Sequence, residues 1–166
     1  GPRWQVLLEK CTEVGADAFV ALRLDHCVAT PKSDRDAAKI ARWQATVDEA
    51  FEQCGRAAVP SVSPAAQLDD WLAGLQDTLV LFGDEVAAPL PDAPNTQALV
   101  SSFSGQTVAV VIGPEGGLSV AERELLAGHG ALPIRLSGSV LRAETAAIVA
   151  IASVVEQLER LRALGS

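Results

Sequence analysis

The stretch that most constrains this chain is "TVAVVIGPEGGLSVAERELL", residues 107–126. Its first seven residues form a continuous β-branched run, the pattern of a strand buried on both faces in a parallel sheet. Its last part begins with Ser119 and has Glu122 three positions later, a capping box that opens a helix. Between strand and helix, Gly113, Pro114, Gly116 and Gly117 bracket a single carboxylate, Glu115. Glycine-rich turns from strand to helix hold ligands by main-chain groups.

The rest of the chain alternates in the same sense. Trp4, Leu7, Leu8, Cys11 and Val14 recur at helical spacing, and Gly15 ends that helix. Strands are expected at residues 18–24, 57–62, 78–83, 107–113 and 132–137, the second an edge because it holds Pro60. Residues 33–55 form a helix with Ile40, Val47, Ala50 and Phe51 on its apolar stripe. Ser63-Pro64 starts another to about Ala73, and residues 84–99, with three prolines, form a loop with at most one helical turn. A loop at 137–144 feeds a final helix to about Leu164. Such alternation predicts an α/β fold, an open parallel sheet with helices on both faces. Residues 145–155, "TAAIVAIASVV", are apolar nearly all round. Such a helix is either sunk in its own core or shared with a second subunit.

At 166 residues the chain suits one domain. A net charge of −8 argues against nucleic-acid binding by the whole surface. Lys32, Arg35, Lys39 and Arg42 share a helix side but are interrupted by acids, so a solvated face is the favoured reading over a local basic patch. Cys11, Cys27 and Cys54 lack any C-x-x-C pairing and read as reduced thiols. His26 and His129 have no ligand-like spacing, so no metal site is expected; His129 lies in a helix-end signature. No apolar run is long enough to span a bilayer, so neither a membrane partner nor a membrane location is expected. The opening Gly-Pro resembles a cleaved tag remnant at residues 1–2, followed at once by a helix, so a domain is expected to precede residue 3 in the natural protein.

Ligands of open parallel sheets sit at the carboxyl ends of the strands. Three glycine-bearing loops fall there: Phe82-Gly83, residues 113–117 and residues 137–140. A dinucleotide fingerprint is absent, a phosphate loop would need lysine where this one has Glu115, and no G-x-S-x-G elbow is present. The ligand is therefore expected to lack phosphate, to offer groups that pair with backbone, and to carry a cation near Glu115. S-adenosylmethionine meets that description.

"IGPEGGLSVAERELL" (112–126) followed by "LSGSVLRAETAAIVAIASVVEQL" (136–158) resembles the RsmE family, bacterial methyltransferases of the SPOUT superfamily. "LEKCTEVGADAFVAL" (8–22) and "WQATVDEAFEQCGRAAVPSV" (43–62) are similar to that family too, so the likeness spans residues 3–160. It implies methylation of N3 of a uridine in 16S ribosomal RNA in the cytoplasm, a C-terminal deep trefoil knot, a homodimer, and a front PUA-like RNA-binding domain outside this chain. It implies cofactor contacts from Leu81, Phe82 and Gly83; from Ile112, Gly113, Glu115 and Gly116; and from Leu136, Gly138, Val140, Leu141 and Thr145. Arg142 is the candidate electrostatic group at the uracil carbonyls, with a phosphate anchor or an ion pair to Glu144 as alternatives. Glu115 either orients the cofactor, acts as a base, or fixes its own turn. Thr145 is expected to cap the last helix. Arg56 matches a family arginine that contacts RNA, or is a surface residue without a role. The chain departs from the family where Ser137 replaces a glycine and Ser139 an arginine, and His26 stands where arginine is common. These losses of charge bear on RNA affinity more than on cofactor binding. A knotted RNA-binding module without transfer, and a SPOUT enzyme acting on a ribose 2′-hydroxyl, stay open.

Overall fold

The structure, a computed structural model, describes residues 2–27, 36–84, 96–105 and 107–164. In chain order it runs α1 (Pro2–Glu13), β1 (Ala18–Arg23), α2 (Asp36–Cys54), β2 (Ser61–Gln67), α3 (Leu68–Ala73), β3 (Thr78–Gly83), α4 (Thr96–Ser101), β4 (Thr107–Val111), α5 (Val120–Gly128), β5 (Leu132–Ile134) and α6 (Ala143–Leu164). Every strand pairing among the described residues is parallel.

The expected single sheet is corrected to two. One has the order β1-β2 and the other β4-β3-β5. Side-chain packing joins them where no ladder does: Leu22 and Leu24 from the β1 end pack with Val80, Phe82 and Val111. The three-stranded sheet is covered on both faces, as its apolar strands require. Val80 and Phe82 face Leu68 and Leu72 of α3 and Leu126 of α5. Leu81, between them, faces the other way, toward Leu99 and Val100 of α4 and Ala150 and Val154 of α6. This is the period of two of a strand.

The second strand starts later than its sequence suggests, and the helix expected from Ser63 is only α3. Residues Ser63 and Pro64 belong to β2. Val20 pairs with Ser63 but Leu22 with Ala66, so β2 carries an extra residue at Pro64-Ala65. A bulge on an edge strand is where a proline without an N–H is tolerated. Helix α6 begins at Ala143, which makes Thr145 its third residue rather than its cap. Residues 85–95 of the expected loop, and Lys32 and Arg35 of the basic stripe, lie outside the described residues. Lys39 rests over the Trp43 ring at 4.7 Å, and Arg42 is exposed.

A third core lies between α1, α2 and α6, where Leu8, Cys11, Val47 and Ala147 are buried with Phe19 of β1. Gly15, at φ 114°, ends α1; a Cβ there would meet both methyls of Val155 at 3.0 Å, so α1 and α6 touch at this point. Burial also pushes the Cys11 thiol up to about 12. Cys11 is therefore expected to resist iodoacetamide at pH 8 in the native protein and to react only on unfolding. Peptide mapping of alkylated cysteines checks this; rapid native labelling of Cys11 would contradict its burial.

Candidate functional site

The loops after β3, β4 and β5 converge on a cleft of about 370 Å³. Its walls are Gly83 and Asp84, residues 112–118, Arg123, and residues 134–143 with Ala146. That size suits a small organic ligand.

The middle loop is held in shape from several directions. Gly117 donates its N–H to the Pro114 carbonyl at 2.8 Å and sits at φ 70°, a left-handed turn open to glycine. Gly113 packs against the returning chain, since a Cβ there would lie 3.1 Å from the Leu118 nitrogen. The capping box is complete: Ser119 Oγ accepts from the Glu122 N–H at 3.2 Å, and Glu122 Oε2 accepts from the Ser119 N–H at 2.7 Å. Glu122 is buried, and its other oxygen accepts from the Asp25 N–H at 2.7 Å. His129 closes α5, its ring Nδ1 3.0 Å from the Leu125 carbonyl.

Glu115 is exposed at the cleft mouth and pairs with Arg3 Nη1 at 2.5 Å. A hydrogen bond from its own backbone N–H, and then Arg3, hold its carboxyl below the usual carboxylate range. A carboxylate so stabilised is a poor proton acceptor and a good counter-ion. Arg142 lines the cleft and is exposed; its main-chain carbonyl accepts from the Ala146 N–H at 2.8 Å. Among the described residues its guanidinium forms no ion pair with Glu144. The last loop is braced by Arg135, which donates from Nε to the Ser137 carbonyl at 2.9 Å. Ser137 Oγ in turn accepts from the Ser139 N–H at 3.2 Å.

Of the residues expected at the site, Gly83, Ile112, Gly113, Glu115, Gly116, Leu136, Gly138, Val140, Leu141 and Arg142 line this one cleft. Leu81 and Phe82 do not; they are buried core beneath it. Thr145 is exposed on the first turn of α6 and lies outside the lining. Arg123, Arg135 and Arg3 are brought to the site by the fold. Arg123 lies one helical turn after the cap Ser119, a spacing that points it back toward the loop; Arg3 and Arg135 carry no such signal.

Arg56 lies apart from this cleft. It donates to the carbonyls of Thr12 at 3.0 Å and Ala16 at 2.5 Å, and pairs with Asp17 at 2.5 Å. These groups lie at the amino end of β1, about 20 Å of strand from the end that leads to Asp25. Its guanidinium stitches the α1–β1 turn. Arg56→Ala is expected to cost about 2 kcal/mol of stability through the two carbonyls it leaves unpaired. Urea unfolding checks this; an unchanged midpoint would free Arg56 for another role.

A larger cavity of about 570 Å³ lies behind residues 112–115, among Trp4, Leu7, Phe19 and Trp43. It shares Gly113, Pro114 and Glu115 with the first cleft, and its remaining walls are chiefly apolar side chains. Among the described residues no group of three His, Cys, Asp or Glu side chains could hold a metal ion, and no helix is long and apolar enough to cross a membrane.

Comparison with known proteins agrees with this architecture. Ribosomal RNA small subunit methyltransferase E of Mycobacterium bovis is 32% identical over 92% of the chain and 58% of its own length. The Bacillus subtilis protein of that name is 31% identical over 98% of the chain and 64% of its own length. The chain thus spans about three-fifths of the length of these relatives. A Legionella pneumophila methyltransferase solved with bound SAM superposes with a TM-score of 0.80 at 33% identity, covering 95% of this chain and 62% of that one. The methyltransferase E of Neisseria gonorrhoeae, solved with S-adenosylmethionine, gives 0.78 at 31% identity, covering 92% and 61%. Residues 1–155 match the family described as RNA methyltransferase domain, and the chain belongs to that family.

Proposed function

We propose that this chain is the catalytic unit of an enzyme that transfers a methyl group from S-adenosylmethionine to N3 of a uridine in 16S ribosomal RNA. The observation that carries this reading is the single cleft formed by the three loops. Its walls combine main-chain groups of residues 112–118 with the apolar side chains of Ile112, Leu118, Ile134, Leu136, Val140 and Leu141. That lining suits a ligand with an adenine, an aliphatic chain on a sulfonium and no phosphate. The residues present fit the cofactor, and two relatives of similar fold were solved with it.

In this reading Gly83, residues 112–116 and residues 136–141 hold the cofactor, which supplies a methyl group already activated on a sulfonium. The protein's own work is positioning and electrostatics. Glu115 stays ionised and offers its carboxylate to the cofactor's cationic groups, exchanging its partner Arg3. Arg142, free among the described residues and exposed at the rim, stabilises negative charge on the uracil carbonyls as N3 gives its proton to solvent water. Supporting the RNA assignment are the names of the relatives. We further propose a trefoil-knotted C-terminal part, a homodimer and a cytoplasmic site of action, as the SPOUT resemblance implies. Light scattering tests the dimer.

The test is calorimetric titration with S-adenosylmethionine, followed by mass mapping of small-subunit RNA after incubation with both. Saturable binding near one cofactor per chain and an N3-methyluridine product support the proposal. A ribose-methylated product overturns the base assignment, and absence of binding overturns the cofactor assignment.

A further inference from the structure

The cofactor loop is clamped from outside by two residues at the far end of β1, Asp25 and His26. Three contacts converge there. The Asp25 N–H donates to Glu122 Oε1 at 2.7 Å, Ser119 Oγ donates to Asp25 Oδ2 at 2.7 Å, and His26 Nδ1 lies 3.0 Å from the Gly117 carbonyl. A carbonyl only accepts, so Nδ1 carries the proton and His26 is the donor. The His26 side chain also rests against the loop: a Cβ on Gly116 would come within 2.9 Å of the His26 Cβ and 3.2 Å of its Cγ. His26 is exposed and lies outside the cleft lining.

We propose that His26 is a positioning residue for the cofactor loop, and that its Nδ1–H···O=C bond to Gly117 sets the loop's binding geometry. This rests on the function proposed above. Gly117 is where the need is greatest. Its left-handed φ of 70° turns the chain between Pro114 and Leu118, and glycine resists such fixing more than any other residue. Tying its carbonyl to His26 limits the conformations open to the turn that lines the cleft. Asp25 and Glu122 hold the helix end of the same loop, so His26 governs the segment they do not reach.

Two variants separate the donor from the ring. His26→Phe keeps a flat ring against Gly116 but has no donor; His26→Asn places an amide N–H near the Nδ1 position. Each is compared with the parent chain by calorimetry with S-adenosylmethionine, by thermal unfolding, and by hydrogen exchange at residues 116–118 without ligand. His26→Phe is expected to weaken binding about five- to tenfold, the worth of one ordinary hydrogen bond. It is expected to speed ligand-free exchange at residues 116–118 by a similar factor, with little change in melting temperature. His26→Asn is expected to restore both. Parent-like affinity and exchange in His26→Phe overturn the proposal. Equal losses in both variants overturn it as well, because the donor then does nothing. Should the parent chain bind no S-adenosylmethionine, the functional reading fails, and the ligand-free exchange alone decides whether His26 holds the loop.

Discussion

Replacing Arg142 with alanine is expected to lower the rate of methyl transfer to RNA by about two to three orders of magnitude, the usual consequence of removing one donor to a developing anion. On the proposed reading, cofactor affinity should stay within about threefold, because Arg142 is exposed and is one of many residues lining the cleft. Single-turnover rates with saturating RNA separate the possibilities. If Arg142 only grips a phosphate, the Michaelis constant for RNA rises, the rate at saturation survives, and the salt dependence of binding weakens. Arg142→Lys should recover part of the rate, since it restores the charge but not the planar pair of donors that two carbonyl oxygens can share. A drop of threefold or less in the saturated rate of Arg142→Ala would remove it from the chemistry.

The second large effect is expected at Gly113. A single Cβ there already meets main-chain atoms, the Leu118 nitrogen at 3.1 Å and the Gly117 carbon at 3.2 Å. Those atoms are part of the loop that walls the cleft and cannot swing aside as a flexible side chain can. Valine adds two methyl groups and forces the loop outward. Gly113→Val is expected to abolish measurable S-adenosylmethionine binding, a loss of at least about a hundredfold, and to cost about 1–3 kcal/mol of stability through overpacking. Calorimetry and urea unfolding read the two effects. Retained binding with lowered stability would mean that the loop relaxes without reshaping the cleft.

Much of the architecture could be read from residues alone, and the successes share one cause: local chemistry that nothing distant overrides. Ser119 and Glu122 form the capping box expected of them. The β-branched run at β4 is a parallel strand, as its lack of alternation indicates. What the residues do not announce has tertiary causes. Ser63-Pro64 looks like a helix start, yet β1 recruits it into β2 and absorbs the proline in a bulge. Leu81 and Phe82 stand beside Gly83 in sequence but alternate into opposite cores, so the strand lends the cleft only its last residue. Arg56 reads as a surface cation until the backbone shows it the two carbonyls of the α1–β1 turn. His26 gives no local hint, because its partner lies 91 residues away.

That separation has a kinetic meaning. The cleft's middle loop is joined to Arg3, Asp25 and His26 across 112, 97 and 91 residues. Contacts of such span cannot form until most of the chain has collapsed, because the entropy of closing so long a segment must be met first. The loop therefore reaches its working shape late in folding, after the helices and the strand pairings nearer in sequence. A ligand caught there reports on the whole assembled chain, and its binding raises the stability of the entire fold instead of one segment. Thermal protection by S-adenosylmethionine is thus a measure of how completely newly made protein has folded.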